Sequence, residues 1–264
     1  MLETLTVVSR ERHGGKFWMV PNNFGYASTS HIVSLSTQEI GQAARALPLA
    51  FLASDAGMTL VAVLGLEPGS NPFVAPNGNW AGAYVPAALR GYPFKLVRPS
   101  DSSDNLVLAV HETAETVSAD PTAGTPFFEG EAAHPKTQGM LQFLMNVESG
   151  IASTRQASSV LQSANVLEPW PISMKAGETT RAVNGLFRVS EVALKALPDE
   201  QFLALRAVLP LAYAQLISMQ NLSALERLSV MHAAYQQQKA NEQATYFAPD
   251  VEDEKFDWKS IIGD

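Results

Sequence analysis

Cysteine is absent from this chain of 264 residues. No disulfide framework can form, and the thiolate ligands of most structural zinc sites are missing. Charge is also sparse: charged residues make up 17% of the chain against 46% hydrophobic. That balance predicts a substantial core and excludes disorder over most of the length. Positive charge is the scarcer sign, and the formal net charge is −8. An acidic chain repels phosphate backbones and anionic lipid, which excludes general nucleic-acid binding and argues against membrane surfaces. No run of 18 consecutive apolar residues occurs, so no membrane span is expected. Residues 1–15 lack the basic start, long apolar stretch and small-residue cleavage site of a secretory signal, so synthesis in the cytoplasm is expected.

The signatures of common chemistries are missing too. There is no G-x-S-x-G, no P-loop and no dinucleotide fingerprint. Gly65, Gly69, Gly78 and Gly82 fall at the wrong spacing to cradle phosphate. His13, His31, His134 and His232 are scattered through dissimilar contexts. His111-Glu112-Thr113-Ala114-Glu115 has a superficial likeness to a zinc helix, but it follows a β-like run and lacks the second histidine. No metal, no cofactor and no catalytic residue is therefore expected.

What is present falls into two halves. Ser36-Thr37-Gln38-Glu39 has the form of a capping box, opening a helix over about Thr37–Leu47 that Pro48 ends. Leu49–Leu52, Leu60–Leu64, Phe94–Val97 and Leu106–Val110 read as short strands. Residues 112–135, with Pro121, Gly124, Pro126, Gly130 and Pro135, read as a loop. Helical spacing then takes over at Met140, Leu141, Leu144 and Val147 and continues through Ile151–Asn165. Glu168-Pro169-Trp170-Pro171 interrupts it, and Trp170 is expected to wedge between a sheet and a helix. Gly185–Val189 reads as a strand feeding a short helix, Ser190–Leu197, and Pro198 opens the next one. Pro210 should kink or split the apolar helical stripe that runs from Phe202 to Leu228. Residues 236–243 are polar and linker-like.

Residues 64–94 are the most heavily specified segment. Aromatics, prolines and turn residues crowd together there, and Asn77-Gly78 is a tight-turn signal expected to link two strands carrying Phe73 and Trp80. Trp80 and Tyr84 share a face on a helix, and Tyr92 and Phe94 share one on a strand. Two readings stand. Trp80, Tyr84, Tyr92 and Phe94 form a recognition platform for a peptide or sugar with Arg90 as charged anchor, or the rings fill a core and Arg90 pairs with a carboxylate such as Glu39. The C-terminal segment 250–264 holds six acids against two lysines, a net −4 and half the charge of the chain. Among those acids stand Phe256, Trp258, Ile261 and Ile262. Trp258, Ile261 and Ile262 would share one helical turn, as in a peptide that docks on a partner, while the composition equally fits a solubilising terminus.

Three blocks together resemble the SapC family, named for a bacterial surface-layer-associated protein. They are His31–Leu52, Leu64–Phe94, and the stretch from Gln142-Phe143-Leu144 through Leu167–Pro171, Gly185–Val189 and Leu197–Leu203 to Tyr213–Ser218. The likeness spans about residues 20–232 in order. Ser190-Glu191 departs from it, since relatives commonly carry Asp before the Glu, and so does Arg90-Gly91, where a second Arg is frequent. The resemblance implies association with surface layers or virions, since relatives also occur in phage genomes and near peptide-modifying enzymes. It implies no catalytic residues. The expectation is an α+β protein: a short-stranded, aromatic-rich front half over 1–110 packs against a helical rear half over 137–233. Together they form one domain over 1–235, followed by a polar linker and acidic tail over 236–264. Its expected role is that of a non-catalytic structural or accessory protein at the cell surface or in a virion, meeting other protein subunits as a homo-oligomer or in a larger assembly. The alternative is a peptide- or glycan-binding module serving a modifying enzyme.

Overall fold

The computed structural model describes residues 4–54, 57–99, 105–176 and 179–246. In chain order the front half contains β1 (Thr4–Val7), α1 (Arg10–His13), β2 (Phe17–Trp18), β3 (Ile32–Ser34), α2 (Ile40–Ala46), β4 (Leu49–Ser54), β5 (Gly57–Val63), α3 (Ala87–Arg90), β6 (Phe94–Val97) and β7 (Val107–Glu112). Four two-residue strands follow: β8 (Val117–Ser118), β9 (Thr125–Pro126), β10 (Phe128–Glu129) and β11 (Ala132–Ala133). The rear half contains α4 (Pro135–Ser163), β12 (Leu167–Pro169), β13 (Ile172–Ala176), β14 (Thr179–Val183), β15 (Leu186–Val189), α5 (Glu191–Lys195), α6 (Asp199–Ala204), α7 (Leu209–Ser218) and α8 (Leu222–Tyr246). This is an α+β architecture with several small sheets.

The largest sheet has the order β12-β15-β4-β5-β3, all antiparallel, so the helical rear half lends it two strands. Its centre is β4 paired with β5, in a register that sets Leu49 opposite Ala62 and Phe51 opposite Leu60. Both faces of β5 are covered, which is why Leu60–Val63 reads as a continuous apolar run and not an alternating one. A second sheet, β1-β7-β6, carries a separate core of Trp18, Phe94, Val110, Phe127 and Leu144.

Helix α4 joins the two cores. It runs 29 residues, about 44 Å at 1.5 Å per residue. Pro135 opens it at a position where the missing N–H costs nothing, and the His134 side chain accepts from Lys136 N–H. Leu144 near its start packs under the β1-β7-β6 sheet, and Leu161 near its end belongs to the main core. At Gly150 the helix lies directly on the capping box, where any Cβ would collide with Ser36 Oγ and Gln38 Oε1. Thr154 Oγ1 donates to Leu35 O at 2.9 Å beside that contact.

The structure changes several local expectations. The capping box is present, with Ser36 N–H donating to Glu39 Oε1 at 2.9 Å, but its first turn, Thr37–Glu39, is a 3-10 turn that precedes α2. The Asn77-Gly78 turn forms with Gly78 at φ +81°, yet only a single bridge, Val74 to Trp80, takes the place of the two strands. Pro72 and Pro76 have no N–H to extend a ladder. The 112–135 loop is tied down, because β8 and β9 pair with the two sides of β2. Pro210 sits in the first turn of α7, and the break it was expected to cause falls before it, at residues 205–208. Residues 236–243, expected as a linker, continue α8, since Gln, Lys and Ala all favour helix. Trp170, expected to wedge between a sheet and a helix, is buried in the main core.

Candidate functional site

Residues 64–94 build a chain of rings with help from distant segments. Phe73 stacks on Trp80 with centroids 5.5 Å apart, and Trp80 meets Phe24 at 5.7 Å. Phe24 meets Tyr26 at 6.0 Å, Tyr26 stacks on Tyr92 at 4.0 Å with planes 4° apart, and Tyr92 neighbours His111 at 5.5 Å. Two hydrogen bonds hold the ladder in place. Trp80 Nε1 donates to Tyr84 O at 2.9 Å, and Tyr26 Oη donates to Leu89 O at 2.9 Å. Burial pushes the Tyr26 phenol up to about 12.

Beside the ladder lies a carboxylate cluster. Glu39, 4% exposed, accepts from Ser36 N–H at Oε1, and from the Tyr84 hydroxyl at 2.9 Å and Ala87 N–H at 2.7 Å at Oε2. Desolvation first, and the Glu39 charge second, hold the Tyr84 phenol near 12. The Arg90 guanidinium reaches the Tyr84 hydroxyl at 3.3 Å and lies over the rings of Tyr84 and Phe143 at 5.8 and 5.6 Å. Arg90 therefore approaches Glu39 through Tyr84 rather than pairing with it. The cluster clamps the start of α2 to α3.

A cleft of about 360 Å³ opens between β6 and α4. Tyr26, Tyr92 and His111 form one wall, and Leu89, Leu144 and Ile151 form part of the floor. Lys95 on β6 and Glu148 on α4 also line it. Of the residues expected to bind, Tyr92 and Phe94 line this cleft, while Tyr84 and Arg90 belong to the Glu39 cluster and Trp80 to the ladder. Phe94 is 4% exposed and edge-on to Trp18 at 5.0 Å, so it serves mainly as core. The docking candidates Phe256, Trp258, Ile261 and Ile262 lie outside the described residues.

Two polar constellations escaped the sequence reading. His13, fully buried, places Nε2 2.7 Å from Glu112 Oε1, and Arg12 grips the same carboxylate through Nε at 2.8 Å and Nη2 at 3.0 Å. The Arg12 bond holds the Glu112 carboxyl down at about 2, with help from His13. The histidine–glutamate pair of 111–112 thus ends a strand, with His111 in the ring ladder and Glu112 in this ion pair. The second constellation is Gln215, which accepts from Val189 N–H at 2.9 Å and donates to Leu49 O at 3.1 Å. Ser218 Oγ accepts from Leu49 N–H at 3.0 Å. Two polar residues in the middle of an apolar helix were the available signal for it.

Among the described residues, no group of three His, Asp or Glu is placed to hold a metal ion, and no helix is long and apolar enough to cross a membrane. No curated protein and no solved structure matches this chain. The SapC family model matches residues 8–225, most of the chain. The chain belongs to the SapC family.

Proposed function

We propose that this SapC-family protein is a non-catalytic structural or accessory component of a bacterial surface layer or phage virion, acting through protein–protein contact. The observation that carries the reading is the outer side of the rear helices. Large apolar side chains stand in solvent there: Val192 on α5 is 80% exposed, Leu203 on α6 66%, Ile217 on α7 57% and Met231 on α8 68%. Tyr213 with Ile217, and Met231 with Tyr235, repeat at i, i+4, so α7 and α8 each carry an exposed apolar stripe. Helix α7 is apolar on both sides, because Leu211 and Ala212 are buried against the core. Single exposed apolar residues are ordinary, but stripes of them on α7 and α8, with Val192 and Leu203 exposed on the two helices before, fit a surface that another protein covers. Phe256, Trp258, Ile261 and Ile262 supply a second contact in this reading.

The test is co-sedimentation of tagged protein with the native particle. The pair Ile217→Glu with Met231→Glu should leave the particle fraction while keeping the wild-type melting temperature, as these side chains are already in water. The pair Trp258→Ala with Ile261→Ala should weaken association in the same way. Full retention of the first pair in the particle would overturn the reading, and full retention of the second would remove the tail from it.

A further inference from the structure

We propose that the cleft between β6 and α4 binds a small zwitterion bearing an apolar or aromatic side chain, either a free amino acid or a short peptide with unblocked ends. This site is separate from the apolar stripes of α7 and α8 and adds ligand recognition to contact. Its volume of about 360 Å³ falls in the range of small-molecule sites, about 300–1,000 Å³. Leu89, Leu144 and Ile151 offer an apolar seat for one side chain. The two banks carry opposite charges, Lys95 from the strand and Glu148 from the helix. Both are exposed, and neither makes an ion pair among the described residues. One cation and one anion flanking an apolar seat match a ligand carboxylate and a ligand ammonium, and they disfavour phosphates and other multiply charged anions.

The wall is organised before any ligand arrives. Tyr26 is tied to Leu89 O and stacked flat on Tyr92, so little side-chain entropy remains to be lost on binding. Ala88 stands exposed on α3 at the lip of the cleft, where a larger side chain would fill the opening without entering the core.

The experiment is calorimetric titration of the full chain with phenylalanine and with the dipeptide Leu-Phe, using N-acetylphenylalanine amide as the uncharged control. Saturable binding of at least one zwitterion is expected, with the tighter of the two identifying the source. Lys95→Ala and Glu148→Ala should each weaken it about two- to fivefold, the size of an exposed charge pair. Ala88→Trp should abolish it while the melting temperature holds. Absence of saturation by both zwitterions up to about 10 mM, a weaker limit than any useful site requires, would overturn the proposal. Equal binding of the blocked amide, or undiminished binding by Ala88→Trp, would overturn it as well.

Discussion

Replacing Glu39 with Gln keeps the shape of the buried side chain but removes one of its two acceptor oxygens. In the native protein Oε1 serves Ser36 N–H, and Oε2 serves both the Tyr84 hydroxyl and Ala87 N–H. An amide can satisfy only one side, and its NH₂ then faces a donor. Hydrogen bonds to a charged group contribute about 1.5–3 kcal/mol each, and a buried donor left unpaired costs about 1–3 kcal/mol. One or two bonds are lost whichever way the amide turns, so the cost is about 2–4 kcal/mol. At about 2–4 °C per kcal/mol for a protein of this size, the melting temperature should fall by about 5–15 °C. Tyr84→Phe removes one bond from the same oxygen and should cost about 2–4 °C. Because the two changes share that bond, the double variant should lose less than the sum. The assay is thermal unfolding by far-UV circular dichroism for the four proteins of the cycle. A fall below about 2 °C for Glu39→Gln, or strict additivity in the double variant, would refute the claim that this carboxylate clamps α2 to α3.

Acid should weaken the protein through Glu112. Its folded pKa of about 2 lies below the unfolded value of about 4.3, so its contribution is complete above that value and drains away as pH falls towards 2. Glu112→Gln should therefore flatten the urea midpoint against pH over that window, and a slope equal to wild type would place the acid sensitivity elsewhere. Gln215→Leu leaves Val189 N–H and Leu49 O without partners in a fully buried site and should lower the urea midpoint by an amount equivalent to about 2–4 kcal/mol. An unchanged midpoint would mean that α7 is not anchored to β4 and β15 in this way.

The elements legible in the sequence were those with a local cause. Ser36 with Glu39, Pro48, Pro198 and the apolar runs at Leu49 and Leu60 each act within a few residues, and each appears where its chemistry places it. The ring-rich segment was legible as important but not as to its use, because Phe24, Tyr26 and His111 join it from elsewhere in the chain. The pairing of Arg12 and His13 with Glu112 was illegible for the same reason, since about a hundred residues separate the partners. Residues 236–243 misled in the opposite direction. Their polarity reads as linker, yet good helix formers extend α8 with no apolar face to announce it.

Composition and spacing determined, unaided, that this chain has a large core, an α+β layout and no thiol chemistry. Those properties follow from side-chain polarity and backbone preference, which every residue carries with it. Only the tertiary structure decided which rings face inward, that Arg90 meets Glu39 through Tyr84, and that a cleft opens between β6 and α4. Such facts depend on long-range contacts, and a contact exists only once loop closure has brought distant segments into one core.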